Sequence, residues 1–371
     1  MSTHTWGGPH PSLRAISFIA ITVASLAAAA VARVPEGPTT DPSVIFTEGF
    51  EGGGFQAWSG GTGRPEDPVL PPDPALIAPA LDMTVAPDPY EANEFLWTAV
   101  PPAQRDVGPG AIDPQRIALL RGRVLRRNGG ALPGVRVSVL GGADLGWTYS
   151  RADGVYDLAV NGGGVVTLRF ERQGHLSIQR LVAPAPQDYG DVDDVVMIEP
   201  SSIGSPITAG LTEAQVARGA VETDGDGTRQ ATLLFQPFTW AGVNFPDGTT
   251  LELGAMTVRV TEFTVGETGP ASMPAQLPEG TGYTYAAEVS VDEAVAAGAE
   301  RVEFDPPVSY YLENFLGLPV GEPVPAGYYD RSLGQWVPEK DGRIVAILGV
   351  EGGMASLDLD GSGQPADETA L

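Results

Sequence analysis

The part of the chain that decides the fold runs from Arg121 to Val182 and reads RGRVLRRNGGALPGVRVSVLGGADLGWTYSRADGVYDLAVNGGGVVTLRFERQGHLSIQRLV. It contains five or six short runs of alternating or continuous apolar residues, and a glycine-rich turn closes each run. In one run Val135, Val137 and Val139 alternate with polar residues, so one face of that strand is expected to be buried. The pattern predicts an all-β fold with an antiparallel sandwich, and it predicts that Val137 faces the core.

Three reversals separate the strands of this stretch. Asp153-Gly154 supplies a left-handed turn position without a Cβ clash, and residues 155–160 continue as the returning strand of a hairpin. Residues 161–164 (NGGG) make the second reversal, and residues 172–175 (RQGH) make the third. Consecutive strands are therefore expected to be joined by short turns.

The same residues resemble a known domain family. Residues 122–124 (GRV), 132–137 (LPGVRV) and 150–158 (SRADGVYDL) are similar to the transthyretin-like, carboxypeptidase-regulatory-like sandwich. The longer string at 152–172 (ADGVYDLAVNGGGVVTLRFER) resembles the version of this domain that precedes the shell in teneurins and in bacterial YD-repeat (RHS-type) surface proteins. The resemblance implies such a sandwich over residues 115–200 and says little about chemistry.

A second β domain is predicted over residues 201–350. Alternation is clearest at 256–261 and recurs at 283–289, while Ser290 and Glu293 have the spacing of a capping box at the start of one short helix.

Residues 261–266 (TEFTVG), 282–294 (GYTYAAEVSVDEA) and 325–330 (PAGYYD) also resemble the YD-repeat proteins. That resemblance implies an immunoglobulin-like or fibronectin-like plug domain that seals one end of the shell built by the repeats. No Tyr-Asp repeat array occurs in the sequence, so the chain is expected to be either a fragment or a truncated gene product.

The composition excludes several classes of function. A net charge of −26 with only 21 lysines and arginines makes nucleic acid and anionic membrane surfaces poor partners. The absence of cysteine excludes disulfides, thiolate metal sites and cysteine nucleophiles. Of the three histidines, only His175 lies outside the N-terminal segment, and we expect it to be an ordinary loop residue.

No carboxylate pair of the glycosidase type, no Gly-x-Ser-x-Gly elbow and no phosphate loop is found in the sequence. The prediction is a protein that is not an enzyme, with no catalytic residue and no organic cofactor.

The N-terminal third carries a targeting signal and a linker. Residues 1–32 combine a polar start, an apolar run from Ala15 to Ala32 and the small-residue site Ala30-Val31-Ala32, which is typical of a secretory signal. An uncleaved membrane anchor is the alternative. The protein is therefore expected to be exported to the cell surface or the medium. Residues 33–114 are rich in Pro, Gly, Asp and Glu and are predicted to be a largely disordered linker.

The acidic tail, residues 351–371, contains part of a calcium loop. Asp358, Asp360 and Ser362 occupy relative positions 1, 3 and 5, with a glycine at 6 and Gln364 at 7. Position 12 is Thr369 and not the bidentate glutamate, and Asp367 and Glu368 lie nearby and could substitute for it. The pattern predicts weak calcium binding by Asp358, Asp360, Ser362, Gln364 and Asp367; an acidic disordered tail is the alternative.

Two functions remain open at this point. The first is a non-catalytic structural module of an exported YD-shell protein, which forms the base or plug of a shell used in cell-surface interaction or toxin delivery. Its partner would be a downstream YD-repeat shell on the same or an adjacent polypeptide. The second is a free-standing extracellular module that binds a cell-surface protein or a carbohydrate through its sandwich loops.

Overall fold

The structure is a computed structural model that describes residues 14–15, 68–80, 84, 86–278 and 281–367. Except for Arg14–Ala15, the predicted export segment lies outside the described residues, as does the linker up to residue 67. Apart from Pro68, the described residues belong to one compact unit. Strands dominate them and the helices are short, which confirms the all-β fold. No helix in the described part of the chain is long and apolar enough to cross a membrane.

The first block is a sandwich of two sheets, preceded by short helices. Its helices are α1 (Pro74–Ile77), α2 (Pro89–Asn93) and α3 (Phe95–Thr98). Its strands are β2 (Gln104–Arg105), β3 (Ile117–Arg126), β4 (Arg136–Val139), β5 (Trp147–Tyr149), β6 (Val155–Asn161), β7 (Val166–Glu171), β8 (Ile178–Val182), β9 (Asp188–Asp191) and β10 (Val195–Met197). A 3-10 turn, Ala143–Leu145, precedes β5.

The two sheets differ in direction as well as in size. One has the strand order β2-β5-β4-β7-β8, with every pair antiparallel. In the other, β3 pairs antiparallel with β6 on one side, while β9 and β10 both run parallel to it on the other side. Val137, Leu158 and Phe170 are fully buried between the sheets, which confirms the predicted orientation of Val137.

Gly122 and Tyr156 face each other across β3 and β6. The tyrosine ring is fully buried, and it packs edge-on against Phe170 with the ring centroids 5.5 Å apart. A Cβ atom at residue 122 would lie 2.6 Å from the tyrosine hydroxyl oxygen, so only glycine leaves room for the ring over the backbone of β3. Both residues belong to the motif quoted above, and their close contact explains why a glycine on β3 accompanies a tyrosine on β6.

Residues 86–114 differ from the linker that the composition predicts. The side chains of Leu96, Ala103 and Ile112 are buried in the sandwich core, and Phe95 and Trp97 pack against its edge. These apolar residues are few, but a preformed sheet surface is available to bury them, so the chain orders around them despite its proline content. The sandwich therefore begins before residue 115.

Gln104 joins the two sheets through its side chain. Its backbone pairs with Thr148 in β2 and β5, and its side chain is only 1% exposed. The amide Nε2 donates to the carbonyl oxygens of Leu145 (2.7 Å) and Ala159 (3.0 Å), and Oε1 accepts a hydrogen bond from the Ala159 nitrogen (2.7 Å). The side-chain amide thus hydrogen-bonds to the free edge of β6 as a neighbouring strand would.

The second block contains several small sheets. Its strands are β11 (Ser205–Thr208), β12 (Gln215–Arg218), β13 (Glu222–Asp224), β14 (Gly227–Arg229), β15 (Ala231–Phe235), β16 (Trp240–Asn244), β17 (Thr250–Leu253), β18 (Ala255–Glu262), β19 (Thr281–Gly282), β20 (Ala287–Val291), β21 (Arg301–Asp305), β22 (Ser309–Leu312), β23 (Pro323–Asp330), β24 (Gln335–Arg343), β25 (Ala346–Glu351) and β26 (Met354–Asp358). Its helices are α4 (Gly269–Ser272) and α5 (Asp292–Ala296).

Three three-stranded sheets, β11-β18-β20, β12-β15-β22 and β17-β16-β21, surround a core that includes Phe235, Val258 and Tyr285. The pairs β13-β14, β23-β24 and β25-β26 form separate hairpins, and β1 (Arg14–Ala15) pairs in parallel with β19.

The helix α5 forms where the sequence places one, but the predicted capping box is wrong. Ser290 lies inside β20, and no side chain caps the first turn. The Glu293 carboxylate accepts hydrogen bonds from the Thr257 nitrogen (2.7 Å) and hydroxyl (3.1 Å) instead. Glu293 thus binds a residue of the neighbouring strand β18 instead of Ser290. A local sequence pattern does not reveal such a distant partner.

Replacement of Gln104 by methionine tests its structural role. The change keeps the length of the side chain but leaves the Ala159 N–H and the two carbonyls without buried partners, so we expect the free energy of unfolding to fall by about 2–4 kcal/mol. Urea denaturation of the full chain measures the loss. Gln115→Met, at an exposed position, is the control. Equal stability of the two variants would contradict the assigned role.

Candidate functional site: the junction between the two blocks

The sandwich and the second block meet along the edge strand β8. An apolar cluster lies at the centre of this junction: Leu176, Val196 and Ile198 come from the sandwich side, and Phe263, Met273 and Ala286 come from the second block. All six side chains are buried. The junction therefore has a hydrophobic core of its own.

Arg180 is the most unusual residue of the junction. It is 3% exposed, and its guanidinium donates from Nη1 to the Met273 carbonyl (3.0 Å) and from Nη2 to the Ala271 carbonyl (2.6 Å), with a further bond to the Gln179 carbonyl (2.7 Å). No carboxylate forms an ion pair with it among the described residues. Burial lowers the pKa of Arg180 to about 10, so it stays charged at neutral pH. Backbone carbonyls of the second block thus stabilise a cation of the sandwich.

Gln179 makes the second set of contacts. Its backbone nitrogen donates to the Pro274 carbonyl (2.7 Å), and its Nε2 donates to the Arg331 carbonyl (2.9 Å). The hydroxyl of Tyr329 donates to its Oε1 (2.6 Å). Two residues further along β8, the Leu181 nitrogen donates to Oε1 of Gln276 (3.0 Å). The segment 271–276, which begins in α4, therefore covers the outer edge of β8, which would otherwise present unpaired backbone groups.

Arg331 closes the junction at the turn between β23 and β24. Its guanidinium forms a two-bond ion pair with Glu288, with Nη1 to Oε1 at 3.0 Å and Nη2 to Oε2 at 2.8 Å, and its Nε donates to the Ser177 carbonyl (3.4 Å). The bonds to Ser177 and Gln179 hold this turn against the sandwich, and the ion pair fixes the guanidinium within the second block.

A buried ion network lies next to the junction in the second block. The guanidinium of Arg229 binds both carboxylate oxygens of Asp224 at 2.8 Å and Oε1 of Glu262 at 2.5 and 2.8 Å, and it stacks on Phe315 with the cation 4.7 Å from the ring centroid. Hydrogen bonding to Arg229 lowers the pKa of Asp224, whereas burial raises that of Glu262. Arg127 of the sandwich donates to the Glu262 carbonyl (2.7 Å) and so connects the network to the first block.

The predicted calcium residues lie in a turn that follows β26. Asp358 is buried, and its carboxylate accepts hydrogen bonds from three backbone nitrogens, those of Asp360 (3.1 Å), Gly361 (2.8 Å) and Gly363 (2.8 Å). Oδ1 of Asp360 accepts from the Ser362 nitrogen (3.0 Å).

Asp360, Ser362, Gln364 and Asp367 are exposed, and position 12 of the loop lies outside the described residues. Within the part of the chain that the structure describes, no group of three or more acidic or histidine side chains is gathered as a metal site. Calcium binding stays a prediction.

His175, which the sequence analysis treats as an ordinary loop residue, lies at the edge of the junction. Its side chain is mostly buried, Nδ1 is 3.3 Å from the Gln173 carbonyl, and Nε2 is 4.0 Å from a Glu199 carboxylate oxygen. Burial lowers the pKa of His175.

Gln179 and Arg180 do not stand out in the sequence as junction residues, although the alternation of residues in β8 gives one indication. Arg180 is two positions from the core residue Ile178 in a strand, so the period of two places an arginine on the buried face. No sequence pattern indicates the role of Gln104, because the partners of its side chain are 41 and 55 residues away.

Comparison with known proteins agrees with the resemblance drawn from the first block. Residues 112–197 match the family model described as the teneurin TTR-like domain. Teneurin-1 of Mus musculus is 34% identical over 118 residues, which are 27% of this chain and 4% of that protein.

Teneurin-m of Drosophila melanogaster is 41% identical over 93 residues, 25% of this chain and 3% of its own length. Teneurin-3 of Mus musculus is 45% identical over 60 residues, 16% of this chain and 2% of its own length. The chain thus spans 2–4% of the length of these relatives. The residues matched by the family model are those of the sandwich.

The variant Arg180→Met tests the junction. It leaves the carbonyls of Ala271 and Met273 buried without a donor, so we expect the free energy of unfolding to fall by about 2–4 kcal/mol. The backbone N–H of Leu181 should also lose hydrogen-exchange protection. Arg123→Met, at an exposed position of β3, is the matched control. Unchanged exchange at Leu181 would show that the junction does not depend on Arg180.

Calcium titration tests the turn after β26. Because the Asp358 carboxylate is already used by three backbone nitrogens, we expect the full chain to bind calcium with a Kd of about 10⁻⁴ to 10⁻³ M or to give no heat at all. Isothermal titration calorimetry measures this directly. Micromolar binding that Asp360→Ala abolishes would refute the expectation and make the turn a preformed calcium site.

Proposed function

We propose that this chain is a non-catalytic structural module of an exported YD-shell protein of the RHS or teneurin-like type. In this role it forms the base or plug of the shell, which serves cell-surface interaction or toxin delivery. The observation that carries the proposal is the match of residues 112–197 to the teneurin TTR-like domain, followed directly by a second β block that is fixed against it.

The junction supports a structural role on physical grounds. A base has to hold its two parts in one orientation, because a repeat shell closes only against a surface of fixed shape. Hydrogen bonds from Gln179 and Arg180, the ion pair of Arg331 and the apolar cluster all cross the junction or support it. A binding module that works through its loops does not need a second block fixed in this way.

The composition supports a role without catalysis. Cysteine is absent, and His175 lies at the junction with its Nε2 facing Glu199. The buried guanidinium of Arg229 is paired with the carboxylates of Asp224 and Glu262, which is the arrangement expected of a structural ion network.

The partner in this proposal is a YD-repeat shell that follows on the same polypeptide or is encoded next to it. The location is outside the cytoplasm, and the N-terminal segment acts as a cleaved signal or as an anchor. The strongly acidic composition suits a protein that has to stay soluble after export.

The proposal is tested by expressing the full chain together with the polypeptide that the same or the adjacent reading frame encodes. We expect that polypeptide to contain Tyr-Asp repeats and to form a complex of one to one stoichiometry in size-exclusion chromatography with light scattering. The Arg180→Met variant should bind more weakly, and Arg123→Met should not. The absence of such repeats, or separate elution of the two polypeptides, would refute the shell role and favour a free-standing binding module.

A further inference from the structure

A cleft of about 410 Å³ opens between the sandwich and the second block, beside the junction. Arg126, Arg127 and His175 lie on the sandwich side, and Glu222, Glu262 and Tyr285 lie on the side of the second block. The volume is in the range of sites for small organic ligands. Both blocks contribute, so the cleft exists only because the junction fixes them together.

The floor of the cleft is apolar. Met197 and Ile198 from the sandwich and Val260 and Tyr285 from the second block line it, and each is buried. Burial of this kind raises the pKa of Tyr285 and of Glu262 and lowers that of His175. Buried side chains thus border the cleft, and charged contacts made beside them are screened less by water than contacts on the open surface.

The arginines on the sandwich side of the cleft have guanidinium donors that no described residue uses. Arg126 is half-buried, and its guanidinium has no hydrogen bond or ion pair with the residues that the structure describes. Arg127 uses one nitrogen for the Glu262 carbonyl and keeps its other donors. Two arginines that line the same cleft suit a carboxylate, which accepts two or more hydrogen bonds.

The opposite wall carries uncommitted negative charge. Glu222 is half-buried, and its carboxylate has no partner among the described residues. Glu262 uses Oε1 for Arg229 and Thr264. The wall of the second block therefore suits an ammonium group. A third carboxylate, Glu199, lies at the rim on the sandwich side, where it is mostly exposed and 4.0 Å from Nε2 of His175.

We propose that this cleft binds a short apolar peptide with free termini, with the peptide carboxylate on Arg126 and Arg127, its ammonium group near Glu222 and its side chains on the apolar floor. A ligand of one charge would leave one wall with an unpaired ion. A zwitterion has no net charge, so the overall charge of −26 does not repel it. The binding goes beyond the structural role, since a shell base functions with this cleft empty.

Isothermal titration calorimetry of the full chain tests the proposal with the dipeptides leucyl-phenylalanine and valyl-phenylalanine at concentrations up to about 10 mM. We expect saturable binding of one peptide per chain. N-acetylation or C-amidation of the same peptide should each weaken binding about tenfold or more, because each removes one charged contact.

Two variants assign the walls. Arg126→Gln and Glu222→Gln should each raise the Kd about tenfold, while Arg123→Gln, an exposed arginine of the same strand outside the cleft, should leave it unchanged. Thermal unfolding of each variant shows whether it is folded. Because the two substitutions lie on opposite walls, the test still works if one of the two variants fails to fold. Three results would overturn the proposal: no heat with either dipeptide, equal binding of the doubly capped peptides, or wild-type affinity in both cleft variants.

Discussion

The arrangement of the two blocks depends on a buried cation that forms no ion pair with the residues that the structure describes. Arg180 is held by carbonyl oxygens, two of them from the segment 271–276 of the other block. A guanidinium without a carboxylate is costly to bury unless its donors are satisfied, so this segment has to lie within reach of it. The neighbouring residues Gln179 and Leu181 bind the same segment along the edge of β8, and Gln179 also binds the turn that carries Arg331. Burial of Arg180 thus acts together with these bonds and with the apolar cluster to hold the junction.

Inside the sandwich, comparable constraints act between residues that are far apart in sequence. The ring of Tyr156 lies over Gly122, and the amide of Gln104 replaces a missing strand at the edge of β6. The first contact lets the ring and the strand pack closely, and the second gives hydrogen-bond partners to backbone groups at the edge of β6. They explain why the sandwich needs the residues before 115 and why its motif combines a glycine on one strand with a tyrosine on the next.

Charge is distributed unevenly over this acidic chain. Arg229 is paired with both Asp224 and Glu262 in a buried network, whereas Arg126 and Glu222 face a cleft without partners among the described residues. Burial of the network around Arg229 costs desolvation free energy, and the network serves mainly to fix the geometry of these side chains. The arrangement of Arg126 and Glu222 leaves ions in a partly enclosed cleft, where a ligand of matching charges gains more than it would in open water.

The sequence by itself determined the fold class, the strands of residues 121–182, the burial of Val137 and the family that the sandwich resembles, because each follows from a period of two and from local turn residues. It also placed α5, but not its cap. Tertiary structure alone decided that residues 86–114 belong to the sandwich, that Glu293 binds Thr257, and that Gln104 and Arg180 hold separate parts together. Those contacts join residues tens of positions apart, and a local pattern carries no information on which distant donor and acceptor will meet in a buried space.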